Sequence, residues 1–170
     1  FDIQDGAYGA YSLRYLNREY NGDVILGHRD SDNAELGFTP TEIRDGTLTT
    51  WGVSTHVRVK TWYDQSGNGN DATQSTKLSM PSVVVSGTQQ FLSGTIPAVN
   101  FDGTNDFIPL NSALPNINTG SFSSFCVGKF DATTMSSLES MLSLGTTNSN
   151  GRLYLPYGYN SEFGWGYAAT

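Results

Sequence analysis

The chain has 170 residues, 9 basic against 16 acidic side chains and a net charge of −7. That length suits one domain able to bury roughly 70% of its unfolded surface without a disulfide staple, and the single cysteine, Cys126, permits no internal disulfide. The acidic balance and the lack of any Lys/Arg cluster exclude nucleic acid as a main partner, because neutralising phosphates needs grouped cations.

No apolar run approaches the ~20 residues of a membrane span, so membrane insertion is not expected, and no signal peptide is evident. The chain opens at Phe1 rather than Met, as a processed chain or a piece of a longer one does. The 19 glycines, 9 Phe, 9 Tyr and 3 Trp, with short apolar runs broken by Gly, Asn, Asp and Pro, point to an all-β chain that turns about every ten residues.

In chain order, "DGAYGAYSLRYLNREYNG" places Ala10, Leu13, Leu16 or Asn17, and Tyr20 at helical spacing. This predicts one short N-terminal helix, with Asp5 as N-cap and Gly22 just past its end. "DVILGHRD" reads as a strand followed by a polar turn at "DSDN". "FTPTEIRDGTLTTW" reads as an irregular connection with a tight turn at Asp45-Gly46. "VSTHVRVKTWYDQ" alternates, with Val57, Val59, Thr61 and Tyr63 on one face and Arg58, Lys60 and Trp62 on the other.

"PSVVVSG", "PAVNFDG", "DFIPL", "SFSSFCVGKFD", "SMLSLG", "GRLYLPYG" and "EFGWGYAA" follow as candidate strands. The consecutive apolar residues of "SSFCVGKF" fit a strand buried on both faces, with Cys126 in the core beside Phe125 and Val127. No repeat or linker interrupts the chain, so residues 1–170 are expected to form one domain. Many antiparallel strands at this spacing suggest two packed sheets, a sandwich of jelly-roll type. The aromatic last strand runs almost to Thr170, which predicts a sheet incomplete at its C-terminal end and finished by residues or subunits outside this chain.

The most distinctive block is "TWYDQSGNGNDATQ". Asp64, Ser66 and Asn68 at positions one, three and five, with Gly69 sixth, mimic a calcium loop, but Ser75 stands where the bidentate glutamate of such a loop belongs. The reading adopted is a structural turn built by Asp64, Ser66, Asn68, Asn70 and Asp71. Asn and Asp side chains mimic turn backbone, and Gly67 and Gly69 are free to take positive φ. Asp64 is expected to accept backbone N–H groups and to pair with Arg29. No metal and no other cofactor is expected, since no Cys/His cluster suits zinc either.

Candidate carboxylates for glycoside hydrolysis are Asp102, Asp106, Glu139 and Glu162. Asp102 and Asp106 flank "GTN" and read as turn acids, while Glu162 begins the last strand. His28 and His56 are the only histidines, and the absence of a Gly-x-Ser-x-Gly elbow removes support for a serine triad. His56 reads as a rim residue. Tyr154, Tyr157, Tyr159, Phe163, Trp165 and Tyr167 fall within fourteen residues. Aromatic faces stack on the C–H side of sugar rings, so Tyr157, Tyr159 and Trp165 are the candidate glycan contacts; the competing role is packing in the core or against a subunit.

Taken together, "AYSLRYL", "GHRDSDNAELGF", "TWYDQSGNGNDATQ" and "AVNFDGTNDFI" resemble the concanavalin-like, laminin-G-type sandwich modules related to the catalytic domain of family 54 α-L-arabinofuranosidases. The resemblance runs from about Gly9 to Tyr167. Such modules occur in marine bacterial secreted proteins and in tailed-phage virion proteins. The resemblance implies a concanavalin-like antiparallel β-sandwich at a virion surface or outside the cell, partnered by other protein subunits and by glycan as a second, weaker partner.

It departs from the family where chemistry sits. The enzymes carry a nucleophile glutamate in an Asp-x-Glu-Asn-type stretch and an acid/base aspartate further on. Both follow a segment that resembles Trp165-Gly166-Tyr167, and this chain stops three residues later. The family's vicinal cysteine pair is replaced by "SMLSLG", with Met141 and Leu142 near its place. The resemblance therefore implies a non-catalytic structural or adhesion module. The alternative is the N-terminal part of an arabinofuranosidase-like hydrolase.

Overall fold

A computed structural model describes residues 6–111, 123–129, 139–144, 152–159 and 162–168. Its elements are mostly strands in antiparallel sheets with a few short helices, an all-β architecture. The chain divides into two compact units, residues 1–119 and 120–170.

The first unit is built on a sheet of order β2-β1-β3-β5-β6, with β4 also paired to β3. These strands are β1 (Ile25–Arg29), β2 (Glu35–Phe38), β3 (Val57–Trp62), β4 (Ala72–Thr73), β5 (Ser82–Val85) and β6 (Thr88–Gln89). The alternation of β3 is realised: Val57, Val59 and Thr61 are buried, while Arg58, Lys60 and Trp62 are half-buried. A buried valine contributes roughly 1.5–3 kcal/mol, so this one strand strongly fixes which face of the sheet is the core. Val57 and Val59 pack with Ile25, Phe38, Val83, Val84 and, from outside the sheet, Leu13, Val24, Ile43 and Leu48.

Ile43 and Leu48 come from α1 (Pro40–Arg44) and α2 (Thr47–Gly52), where the sequence predicts an irregular connection. The turn at Asp45-Gly46 is present, with Gly46 at φ +93°, but a helix lies on each side of it. The reason is local. Thr39 and Glu42 close a capping box: Glu42 N–H donates to Thr39 Oγ1 at 3.4 Å, and Thr39 N–H donates to Glu42 Oε2 at 2.9 Å. Pro40 sits in the first turn, where its missing N–H costs nothing. Trp51 then sets its ring edge-on to Phe38 at 5.4 Å.

The opposite face of the sheet is polar. Glu35, His28 and Arg58 are successive cross-strand neighbours. Lys60 Nζ lies 2.7 Å from Glu35, Arg58 Nε lies 3.0 Å from Asp30, and Lys77 Nζ donates to Asn33 Oδ1 at 3.0 Å. A 3-10 turn, Lys77–Ser79, carries that lysine. His28 is buried among these groups, and His56 is half-buried.

Two other strands form a separate ribbon, β7 (Phe91–Ser93) with β8 (Ile96–Pro97). β5 and β6 meet through Ser86 and Gly87, both at positive φ, as a two-residue hairpin of mirror-image type requires. "PAVNFDG" gives β8 and then a single bridge, Asn100 to Ser82; "DFIPL" gives only the bridge of Leu110 to Ala72.

Two further expectations need correction. Residues 6–22 form no helix. Ala10 and Leu13 are buried as the helical spacing demands, but the main chain between them bonds to distant side chains instead of to itself. Asp5 lies outside the described residues. Second, residues 123–129 form no strand, Cys126 is exposed, and Phe125 and Val127 are 94% and 89% exposed. Apolar composition makes a strand only where a neighbour supplies the ladder, and among the described residues none pairs with this stretch.

The second unit holds an antiparallel sheet of order β11-β10-β9, from β9 (Glu139–Leu144), β10 (Arg152–Tyr159) and β11 (Glu162–Ala168).

The packing of α2 on the sheet is testable at Gly52. A Cβ there would lie 2.8 Å from Val57 Cγ2 and 3.6 Å from Val84 Cγ1. Gly52→Ala is expected to destabilise the protein by about 1–3 kcal/mol in urea unfolding, the overpacking outweighing alanine's better helix propensity. A stabilised variant would refute the seating of α2 against β3 and β5.

Candidate functional site

The "DQSGNGND" block begins where β3 ends. Tyr63 N–H donates to Val24 O, and the next residue, Asp64, turns its carboxylate inward, 5% exposed. Gly67 and Gly69 stand at φ +90° and +69°, backbone conformations that let the chain reverse within a few residues.

Asp64 gathers four donors. Its Oδ1 accepts from Ala10 N–H and Ser66 N–H, each at 2.8 Å. Its Oδ2 accepts from Ser66 Oγ at 2.6 Å and Asn70 N–H at 3.0 Å. Burial alone would raise the acid's pKa, but the hydrogen bonds from Ser66, Ala10 and Asn70 outweigh it and hold Asp64 below the ordinary carboxylate range. Asp71 Oδ1 closes the loop on itself by accepting Asp64 N–H at 2.9 Å.

The neighbouring side chains reach the same N-terminal segment. Gln65 is completely buried. Its Oε1 accepts Leu16 N–H at 2.7 Å, and its Nε2 donates to Ser12 O at 3.1 Å and Arg14 O at 3.0 Å. Asn68 Nδ2 donates to Ala7 O and Asn70 Nδ2 to Tyr8 O, each at 2.7 Å. Tyr11 returns a bond, its hydroxyl donating to Asn70 O. The block is a cradle that grips residues 7–17 as an irregular strap.

Arg29 is not the partner of Asp64. Its guanidinium forms a fork on Asp32 at 2.9 and 2.7 Å, donates to Trp51 O at 2.8 Å, and lies 4.5 Å from the centre of the Trp51 ring. Asp32 is three residues away in the same turn, and Asp64 already has its lone pairs filled. Both Asp64 oxygens face N–H and O–H donors, surroundings that suit a negative charge. Among the described residues, no group of three His, Cys, Asp or Glu side chains gathers as a cation site would require.

Asp102 and Asp106 share one turn. Asp102 Oδ1 accepts from Thr104 N–H at 2.8 Å and Asn105 N–H at 3.2 Å, and Asp106 Oδ2 accepts Asp102 N–H at 3.0 Å. The two are pushed apart in acidity. Burial raises Asp102, but backbone N–H bonds and Arg58 outweigh it and lower the pKa. Burial and the charge of Asp102 raise Asp106, whose Oδ1 is buried without a hydrogen-bond partner. Glu139 and Glu162 open β9 and β11, opposite Gly158 and Tyr159; their side chains lie outside the described residues.

The same holds for the side chains of Tyr157, Tyr159 and Trp165, but the register fixes their positions in the sheet. Tyr157 pairs with Gly164 and Tyr159 with Glu162. Trp165 follows Gly164 directly, beside the register shift between Tyr154 and Tyr157. The residue that sequence reasoning passed over is Gln65; it lies inside the motif, but nothing in its type or spacing tells a buried amide clamp from an exposed turn glutamine.

No family model matches the chain, and no curated protein or solved structure matches it.

The cradle's contribution is measurable. Gln65→Ala strands Leu16 N–H and two carbonyls, and is expected to cost about 2–3 kcal/mol in chemical unfolding. Asp64 adds a pH signature. Because its folded-state pKa is lowered, its stabilisation is complete above the ordinary carboxylate value of 3.8 and fades as pH falls through that value and onward through the folded one. Asp64→Asn should therefore flatten the acid limb of the stability–pH profile. An unchanged limb would exclude the buried, four-donor carboxylate.

Proposed function

We propose that the chain is a non-catalytic structural or adhesion module, a concanavalin-like jelly-roll sandwich that works at a virion surface, as capsid decoration or tail-fibre domain, or at a bacterial cell surface. The observation that carries this reading is where the polar groups of the distinctive block go. Asp64, Gln65, Asn68 and Asn70 all bond the chain's own backbone, so the motif is spent on holding the module together. A carboxylate with four donors is a poor base and a poor nucleophile, because each donor stabilises the ion it would have to give up. The partners proposed are other subunits of an assembly, with glycan as a weaker second partner at Tyr157, Tyr159 and Trp165.

One observation favours the rival reading, an arabinofuranosidase-like hydrolase. Asp102 and Asp106 are neighbouring acids with pKa values displaced in opposite directions, the pattern of an acid paired with a base. Their geometry argues against it: Asp106 accepts the backbone N–H of Asp102 within a single turn, and Asp102 spends an oxygen on two further N–H groups. Acids that close a turn do not bracket a sugar.

The full-length protein is expected to release no arabinose from an aryl arabinofuranoside; turnover abolished by Asp106→Asn would overturn the structural reading. On a glycan array, Tyr157→Ala, Tyr159→Ala and Trp165→Ala are each expected to lower retention severalfold. Unchanged retention in all three variants would remove the aromatic glycan contact from the reading.

A further inference from the structure

The cradle holds residues 7–17 in the way a binding site holds a non-helical peptide. Its bonds go to main-chain atoms: Ala7 O, Tyr8 O, the N–H of Ala10 and Leu16, and the carbonyls of Ser12 and Arg14. Such contacts read backbone shape, and two strap side chains add identity, the Tyr11 hydroxyl donating to Asn70 O and Asn17 Nδ2 to Gln65 O. The strap's buried apolar anchors are small in number and size, Ala10 and Leu13. The chain rejoins the body at Val24, which is buried and fixed on both sides, its N–H donating to Phe38 O and its carbonyl accepting Tyr63 N–H. Between strap and anchor lies the short polar joint Asn21-Gly22-Asp23.

We propose that this cradle is a receptor for non-helical main chain whose occupant can be supplied by a second copy of the protein, through exchange of residues 6–20 about the Asn21-Gly22-Asp23 joint. The second copy is the occupant that fits by construction, since each copy presents the same strap and the same cradle. Every strap–cradle contact broken within one chain is remade between two, so the exchange closes as a two-fold pair and leaves no cradle empty, whereas the bonds of Tyr15 to Gly22 O and of Tyr20 to Asp23 O depend on the joint itself. What remains to be offset is the entropy of association and the straightening of the joint, both overcome by raising protein concentration. The inference does not depend on whether the module is structural or hydrolytic.

The test uses the full chain in a Cys126→Ser background. Ala7→Cys is placed in one preparation and Asn68→Cys in another, because Asn68 Nδ2 lies 2.7 Å from Ala7 O. The two are unfolded together, refolded at high concentration and oxidised. The expected product is a disulfide-linked heterodimer with one of each chain, its yield rising with concentration. In parallel, isotopically labelled and unlabelled unmodified chains are co-refolded and weighed by native mass spectrometry, where mixed-mass dimers are expected. The absence of mixed-mass dimers overturns the proposal, and so do mixed-mass dimers whose chains give no 7–68 cross-link while the Ala7→Cys, Asn68→Cys double variant closes its disulfide within one chain.

Discussion

The structure depends on one buried charge. Asp64 stands at the end of the central strand, 5% exposed, and a carboxylate removed from water is unfavourable by several kcal/mol unless donors replace the solvent. The loop alone supplies part of that replacement, from Ser66 and Asn70. Another donor is Ala10 N–H, 54 residues earlier in the chain. The acid is therefore fully solvated by protein only when the N-terminal strap is in place, and the strap is in place because the acid is there. This mutual requirement links the start of the chain to the centre of its sheet, and it lets Leu13 reach the core that Val57 and Val59 begin.

Gln65 extends the same logic to a neutral group. A fully buried amide needs both ends paired, and its geometry offers one acceptor and two donors. The strap presents one N–H and two carbonyls in matching positions. A strap coiled into a helix would consume those same groups in its own ladder. The irregular conformation of residues 7–17 is thus set by the cradle, and it is bought at the expense of local structure.

That competition explains what could and could not be read from the residues. β3 was legible because its alternation is a property of six consecutive side chains, and both faces of the strand report it. The turn character of Asp64, Asn68 and Asn70 was legible too, because those residue types and the glycines between them have few other uses. The strap was misread because spacing reports only which residues face the core; Ala10 and Leu13 satisfy a helix and an irregular strap equally well. What separates the two lies some 50 residues away, in Asp64 and Gln65, and no local window contains it. The helices around Asp45-Gly46 carried a visible signal, Thr39 with Glu42 three residues on, but five- and six-residue helices are too short to show a period. The run at residues 123–129 shows the converse limit: composition was strand-like, and pairing is not a property of composition.

The same accounting separates scaffold from chemistry. A side chain whose polar atoms are all engaged by the protein has little left for a substrate, and Asp64 and Gln65 are in that condition. The charged groups across the sheet's other face are likewise paired among themselves: Arg58 and Lys77 with Asp30, Lys60 with Glu35. Asp106 departs from this pattern, with an oxygen that is buried and unpartnered and an acidity weakened by burial and by its neighbour Asp102. Burial weakens the acid because a neutral carboxyl costs less to bury than an ion does. The turn that holds it also accounts for it: Asp106 Oδ2 takes Asp102 N–H, Asn105 Nδ2 reaches Ser79 Oγ, and Phe107 N–H reaches Ser79 O. The unspent oxygen is the by-product of pinning residues 102–107 against the 3-10 turn that carries Lys77, so even the most reactive-looking acid described in this chain owes its state to architecture.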